Sequence, residues 1–259
     1  TLSLPNAGPR VGPLVLNEIH YRPAPGDPEF VEIRNLTDET VPLHDVLAPA
    51  NTWRLGGVGF RFPEGASVPP RGLAVVAASD PASFRARHGI PESVPVFGPF
   101  EGSLQDQGER VALERPDHPD LLPDGTVFVP YLVVDEVSYR SDPPWPVLAS
   151  SGLSSLERRP EAGYGDDPAS WNAGAGEASP GFSNDSNRAP KVDAGPDAEL
   201  EGVGFPLGVV LRGAAVDDGL PVVPGRLTLE WSQVSGPGPV TFLDPAISNA
   251  VVSLPGSGE

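Results

Sequence analysis

The sequence predicts an all-β protein built from two β-sandwiches in tandem. Pro 34 and Gly 30 are abundant among the 259 residues, and that many breakers cannot sit inside long helices. Short apolar runs recur along the chain, and nearly every gap between them contains Pro, Gly, Asp or Asn. Hydrophobic residues make up 39% of the chain, which is enough for each of two domains to bury its own core.

The clearest element is a hairpin over residues 14–35, where two alternating strands flank a turn rich in Pro, Gly and Asp. Strict period two with β-branched and aromatic residues predicts a half-buried antiparallel pair. The alternation assigns the residues to faces as follows: Val15, Asn17, Ile19 and Tyr21 opposite Leu16, Glu18 and His20 in the first strand, and Val31 and Ile33 opposite Phe30, Glu32 and Arg34 in the second.

Further strands follow from short apolar runs. These are Thr52–Leu55, Val58–Phe62, Leu73–Ala78, Val94–Phe97, Arg110–Leu113, Leu132–Tyr139 and Ser154–Glu157. One segment breaks the pattern and predicts a helix of about two turns. Asp80 is its expected N-cap, Pro81 its first residue and Gly89 its stop.

Composition divides the chain into four parts: a lead-in at 1–13, a first sandwich at 14–184, a linker at 185–190 and a second sandwich at 191–259. Between 161 and 190 the sequence is dominated by small, turn-forming residues. Trp171 and Phe182 are the expected anchors that dock this tail on the first sandwich.

The second part predicts a small Ig-like sandwich with Trp231 as its core indole. Its expected strands are Val192–Ala194, Ala198–Leu200, Val209–Gly213, Leu227–Val234, Val240–Phe242 and Ala250–Leu254. A complete sandwich of this type has about seven strands, so this one is expected to lack its last strands. We expect the open sheet to be completed by another chain, unless the sequence is a fragment.

The first part resembles the bacterial lamin tail domain, an Ig-like sandwich. The resemblance runs through ordered blocks: Asn17–Tyr21, Glu29–Asn35, Phe62–Gly65, Gly98–Leu104, Gly108–Val111, Val134–Tyr139, Pro144–Pro146, Ser170–Asn172 and Ser179–Asn184. The second part is similar to a PKD-type Ig-like domain of bacterial surface proteins. The blocks that match are Ala189–Asp197, Asp217–Pro221 and Trp231–Gly238.

These resemblances imply a non-catalytic structural or adhesive module of an exported or cell-surface protein, in some cases a subunit of a surface assembly or filament. Two alternatives stay open. One is a calcium-dependent carbohydrate-binding unit, and the other is an accessory domain of a secreted nuclease or phosphoesterase. The expected partners are proteins, through self-association or neighbouring surface domains, with glycans as a second class.

Charge and composition narrow the partners and the compartment. The formal net charge of −18 repels nucleic-acid phosphates and anionic lipid, so neither nucleic-acid binding nor membrane insertion is expected. Cys 0 excludes disulfides and a cysteine nucleophile, and Met 0 predicts that Thr1 is a processed or trimmed start. Together these features predict an exported protein of the extracellular space or bacterial surface.

The residues that could form a reactive or metal-binding site also have an ordinary structural interpretation. Glu18 and His20 share a strand face, and Glu32 is expected on the neighbouring strand, which raises the hypothesis of an acid/base or metal site. A polar outer face, with pairing across to Arg34, explains them better. The four histidines, His20, His44, His88 and His118, show no metal-binding spacing, so a zinc site is not expected.

Two further sites are candidates. Asn187, Asp217 and Asp218 are predicted to meet at one pole of the second sandwich, where their oxygens suit calcium, as in the PKD-type domains that this part resembles. Trp145 lies in a proline-rich loop that cannot pair in a sheet. It is the candidate ligand-facing aromatic, although a packed indole is the favoured interpretation.

Overall fold

The computed structural model describes residues 10–146, 154–174, 178–185, 190–197, 207–216, 227–236 and 238–254. Within them β-strand is the dominant structure, as the sequence predicts. The chain forms two compact units, residues 1–184 and 185–259. No helix in the described ranges is both long enough and apolar enough to cross a bilayer.

The first unit contains fourteen of the described strands. They are β1 Leu14–His20, β2 Phe30–Asn35, β3 Val41–Pro42, β4 Arg54–Gly56, β5 Phe60–Arg61, β6 Ser67–Val68, β7 Leu73–Ala77, β8 Val96–Phe97, β9 Gly108–Pro116, β10 Asp120–Leu121, β11 Val127–Phe128, β12 Tyr131–Arg140, β13 Leu156–Arg158 and β14 Trp171–Ala173. Helix α1 spans Pro81–His88, and a 3₁₀ turn spans Pro168–Ser170.

Two sheets enclose the main core of this unit. The larger has the strand order β14-β13-β1-β2-β7-β8 and is antiparallel except for the β7–β8 pair. The smaller has the order β12-β9-β4-β5. Side chains from both sheets, such as Ile19, Val31, Leu113 and Val137, form one buried cluster between them. All the apolar runs predicted as strands in this part overlap strands of the structure.

The predicted hairpin is confirmed, but its strands are buried on both faces. A bulge at Asn17 shifts the register between Leu16 and Glu18 and turns Leu16 into the main core. On the other side of the sheet, Phe30 packs beneath α1 in a second apolar cluster. The expectation of a half-buried sheet is therefore wrong, because the helix and the unit's own tail cover its outer face.

Helix α1 has the ends that the sequence predicts. The Asp80 carboxylate accepts a hydrogen bond from the amide of Ser83 at 2.9 Å, and Pro81 opens the first turn. Gly89 ends the helix in the left-handed conformation, with φ +62°. Phe84 is the residue that α1 buries against the sheet.

The second unit has five described strands: β15 Lys191–Asp193, β16 Leu207–Val210, β17 Ala214–Val216, β18 Thr241–Phe242 and β19 Val251–Leu254. They form a β15–β17 pair and a β16-β19-β18 sheet. The predicted strand at 227–234 is wrong, because those residues are not in strand conformation and pair with none of the described strands. Trp231 is half-buried rather than fully enclosed, and its indole N–H donates to the carbonyl of Ile247 at 3.0 Å. The predicted strand Ala198–Leu200 lies outside the described residues.

Candidate functional site

Three glutamates stand in a row across the outer face of the larger sheet. Glu18 is directly opposite Glu157 on one side and Glu32 on the other. Residues opposite each other in an antiparallel pair project to the same face. The three side chains are almost completely buried, with Glu18 and Glu32 at 0% exposed. The predicted polar outer face is therefore wrong.

The tail of the first unit covers this row and binds to it. Glu18 accepts hydrogen bonds from the Ser179 amide at 2.7 Å and from the Ser155 hydroxyl at 2.6 Å. The Ser179 hydroxyl donates to its other oxygen at 2.9 Å. Glu32 accepts from the Gly181 amide at 2.6 Å and from Asn17 Nδ2 at 2.8 Å. These contacts fasten residues 178–184 to the sheet, and we call this arrangement the carboxylate clasp.

Gly181 is required for that close approach. Its φ is +85°, and a Cβ at this position would lie 2.6 Å from the side chain of Ile90. Asn184 completes the attachment by donating to the carbonyls of Asn17, at 3.0 Å, and Arg158, at 3.2 Å. Phe182, predicted as an anchor, is 40% exposed, so polar contacts hold this end of the tail.

Burial changes the acidity of the clasp. Burial raises the pKa of Glu18 to about 7, the nearby Glu157 carboxylate adds to the rise, and the donors from Ser155 and Ser179 oppose it. Burial also raises the pKa of Glu32 well above its ordinary value, and the charge of Glu18 adds to that effect. Near neutral pH the clasp therefore holds protons that exposed glutamates would release. Its acceptor oxygens are occupied by the protein's own tail, which suits fastening better than catalysis.

A buried ion pair beside the clasp was not predicted from the sequence. Arg158 is completely buried and contacts Asp135 through both terminal nitrogens, at 2.5 and 3.3 Å. It also donates to the carbonyl of Leu16 at 2.9 Å, and Asp135 accepts from the Leu16 amide at 2.8 Å. The pair thus satisfies both backbone groups of Leu16, beside the bulge. It also joins the two sheets, because Arg158 lies in β13 of the larger sheet and Asp135 in β12 of the smaller. The run from Ser154 to Glu157 predicts the strand but gives no sign that the next residue is buried.

Trp145 does not face a ligand. It is 6% exposed and belongs to the main core, where its ring centroid lies 6.5 Å from that of Trp171. The proline-rich loop folds the indole inward, so the candidate ligand-facing aromatic is corrected to a core residue. Trp171 is confirmed as an anchor, and its indole N–H donates to the carbonyl of Gly165 at 2.7 Å.

The calcium candidates Asn187, Asp217 and Asp218 lie outside the described residues. Within the described ranges, no three His, Asp or Glu side chains are arranged to hold a metal ion.

Two of the histidines, distant in the sequence, come together at a pocket. His44 and His118 line one pocket of about 310 Å³, with Trp53 and Pro116 among its apolar walls and Arg115 at its side. We call it the base pocket, because the β-ribbon described next begins there.

A projecting β-ribbon begins at this pocket. Strands β9 and β12 form a long hairpin whose tip is the β10–β11 pair, with Asp120 opposite Phe128 and Leu121 opposite Val127. Among the described strands, none pairs with the outer edges of β10 or β11. We call residues 120–133 the apolar ribbon, because six large apolar side chains on it are exposed to solvent: Leu121, Leu122, Val127, Phe128, Leu132 and Val133.

The edge of β12 is protected along only part of its length. Near its end, the Asp166 carboxylate accepts a hydrogen bond from the amide of Ser138 at 2.7 Å. Gly165 lies so close to the carbonyl of Glu136 that a Cβ there would be 2.5 Å from the oxygen. This loop blocks strand addition at that end. The start of the strand, at Leu132 and Val133, carries exposed apolar side chains instead.

Comparison with known proteins gave no match to a family model, to a curated protein or to a solved structure. The likeness to lamin tail and PKD-type domains therefore rests on the sequence blocks alone.

Proposed function

We propose that this chain is a non-catalytic structural or adhesive module of an exported or cell-surface protein. In this proposal residues 14–184 are a lamin-tail-like sandwich and residues 191–259 a partial PKD-type sandwich, arranged as two Ig-like domains in tandem. The order of the sequence blocks supports both assignments. The module works by holding protein partners together.

The observation that carries the proposal is the apolar ribbon. Leu121 is 75% exposed, Val127 62% and Phe128 52%. Single exposed apolar residues are common, but six large ones gathered on one hairpin tip, on both of its faces, are typical of a protein–protein contact site. The unprotected edge beside it also offers backbone groups for strand addition. This surface suits a module that joins neighbouring protein domains.

The titratable groups fit the same role. The two glutamates with the strongest upward pKa shifts, Glu18 and Glu32, lie in the carboxylate clasp rather than in an open cleft. An acid or base in catalysis must reach the substrate's proton within hydrogen-bond distance. In the clasp the carboxylates instead hold the tail of the unit, which favours a scaffold.

The net charge of −18 and the lack of cysteine support export and a protein partner over nucleic acid. A partner that carries basic residues beside apolar ones would gain from the field of this acidic chain. The calcium-dependent glycan unit and the nuclease accessory domain have no comparable support among the described residues.

Site-specific crosslinking tests the proposal. Since the chain has no cysteine, Val127→Cys labelled with a benzophenone maleimide places one photoreactive group on the ribbon. Ala86→Cys, at an exposed position of helix α1, which packs on the larger sheet, is the matched control. Irradiation with the envelope and secreted proteins of the producing cells should give discrete protein adducts from position 127 and none from position 86. No adduct at either position, or the same adducts at both, would refute the function.

A further inference from the structure

Four aspartates border the apolar ribbon and the base pocket. They are Asp120 and Asp124 in the ribbon and Asp45 and Asp117 at the pocket. Within the part of the chain that the structure describes, none of the four makes an ion pair. Acidic side chains on the neighbouring strands are paired, as Glu114 is with Arg54 at 2.6 Å. The surface around the ribbon therefore carries negative charge that the chain's own side chains do not neutralise.

A partner that covers the exposed apolar side chains also takes these carboxylates out of water. A desolvated carboxylate without a cation is unfavourable, whereas one that accepts hydrogen bonds from Lys or Arg is stabilised. The chain has little positive charge of its own to offer here. From residue 116 to residue 139 it contains no Lys or Arg, and Arg115 is the only one among the described residues that line the pocket. The partner must therefore supply the cations.

The base pocket suits the side chain of an arginine. Trp53 and Pro116 are among its apolar walls, which can cover the methylene stem. Asp45 and Asp117 supply acceptors for the guanidinium, and their two charges outweigh the one positive charge in the lining. The Nδ1 atom of His44, another lining residue, is buried and has no hydrogen-bond partner among the described residues. A guanidinium has five N–H donors and no acceptor, so it can pair with groups that an apolar side chain would leave unsatisfied.

The strand next to the pocket sets the pattern of the partner. β10 starts just after the pocket residues 115–118 in the chain, and none of the described strands pairs with its outer edge. An extended segment along that edge leads into the pocket, and its side chains alternate between the two faces. On one face they meet Leu121, which lies beside Val127. On the other face they meet Asp120, which lies beside Phe128. Alternating apolar and basic residues match this edge on both faces.

We propose that this surface binds an extended, cationic segment of another protein, in which apolar and basic residues alternate. The segment lies along the outer edge of β10 and places an arginine side chain in the base pocket, between Asp45 and Asp117. The net charge of −18 attracts such a segment and repels other copies of the chain, nucleic acid and anionic lipid. The inference rests on the proposed function, because it names the class of partner for the same contact surface.

Fluorescence anisotropy of labelled peptides tests the chemistry of the partner. The probe is a decapeptide of alternating valine and arginine, and its matched control has glutamate in place of arginine. At about 0.15 M salt, the full chain should bind the Val–Arg peptide about tenfold more tightly than the Val–Glu peptide, or better. A peptide with the same composition in two blocks, valines followed by arginines, has the same charge and should bind about fivefold more weakly than the alternating one.

Charge-matched variants of the full chain test the position of the site. Asp45→Asn with Asp117→Asn removes the two pocket carboxylates and should weaken binding of the Val–Arg peptide by about tenfold. The asparagine can accept the same hydrogen bond from the Leu47 amide as Asp45 does, so the pocket loop is kept. Asp193→Asn with Asp244→Asn is the matched control, because it removes two charges from exposed positions in the second unit. The control should change binding by less than about twofold, since both variants alter the general field equally.

A second pair of variants tests the apolar half of the pattern. Leu121→Ala should weaken binding of the Val–Arg peptide by about threefold or more, because it removes an exposed apolar contact on β10. Leu243→Ala is the matched control: Leu243 is also exposed, at 82%, but belongs to the second unit, so binding should be unchanged. This pair keeps the inference testable if the pocket variant does not fold.

The outcomes separate this inference from the proposed function. A chain that does not bind the Val–Arg peptide at roughly 1 mM, or that binds the Val–Glu peptide equally well, overturns the cationic partner. Equal losses in the two charge variants overturn the pocket as the site. Equal binding of the block peptide, or unchanged binding by Leu121→Ala, overturns the alignment along β10. If the Val–Arg peptide does not bind but position 127 still crosslinks to envelope proteins, the partner chemistry fails and the proposed function stands. If the peptide binds but position 127 gives no specific adduct, the site stands and the proposed function fails.

Discussion

Replacing Glu18 by Gln should remove most of a pH dependence of stability that the carboxylate clasp creates. The pKa of Glu18 is 4.5 in an ordinary environment and about 7 in the folded protein. The folded state therefore binds a proton that the unfolded state releases between these values. The resulting stability is complete below pH 4.5 and is lost as the pH rises through 7.

The size of the effect follows from the shift. At about 1.4 kcal/mol for each pKa unit, the ionised form of Glu18 costs roughly 3.5 kcal/mol of folding free energy at high pH. The glutamine side chain of Glu18→Gln would stay neutral throughout. Its amide oxygen accepts from Ser155 and from the Ser179 amide, and its NH₂ donates to the Ser179 hydroxyl, which rotates to accept. The pKa of Glu32 falls when the Glu18 charge is removed, but burial still holds it above its ordinary value, so some pH dependence remains in the variant.

Urea unfolding of the full chain, followed between about pH 5 and 9, measures the difference. The wild type should lose about 2.5 kcal/mol more than Glu18→Gln over this range, since the rest of the change falls below pH 5. The exposed variant Glu64→Gln should follow the wild type. Hydrogen exchange at the Ser179 amide, corrected for intrinsic rates, should show loss of protection in the wild type at high pH. Parallel stability curves for the wild type and Glu18→Gln would refute the assignment of a raised pKa.

Three further predictions concern stability, each measured by urea unfolding. Arg158→Met leaves Asp135 buried without its partner and should lower the free energy of unfolding by about 3–5 kcal/mol. Adding Asp135→Asn to the same chain should recover most of that loss, and no recovery would show that the packing of Arg158 matters more than its charge. Gly57→Ala should lower the free energy of unfolding by about 1–3 kcal/mol, because a Cβ there, at φ +99°, would lie 2.7 Å from the carbonyl oxygen of Arg110. Gly26→Ala, at φ +90° in open space, should lower it less, and equal losses would contradict the contact. Asp80→Ala should lower the midpoint of urea unfolding and Asp80→Asn should lower it much less, because alanine cannot accept from the Ser83 amide; an unchanged Ala variant would argue against the helix cap.

The local patterns of the sequence predict the strands of the first unit well. Alternation in residues 14–35 predicts both strands of the first hairpin, and the residues from Asp80 to Gly89 predict a helix with both ends correct. These signals are local, since a strand or a cap depends on residues next to each other in the chain. The short strands of the ribbon tip, with two residues each, are too brief to produce such a pattern.

What the sequence does not show is which face becomes buried by distant parts of the chain. Glu18 and Glu32 look like solvent-facing residues until the tail at Ser179 folds over them. The bulge at Asn17 likewise depends on a pairing that alternation cannot reveal. Trp145 turns inward because Trp171, far along the chain, packs beside it. Long-range packing decides each of these cases, and it has no local signature.

The most direct test of the ribbon as a contact surface is amide hydrogen exchange of the full chain, alone and after mixing with the envelope and secreted proteins of the producing cells. In the mixture, amides within residues 120–133 should gain protection, while those of helix α1 exchange at the same rate in both samples. Exchange in the ribbon that is identical in both samples would contradict the account of the ribbon as the surface that holds protein partners.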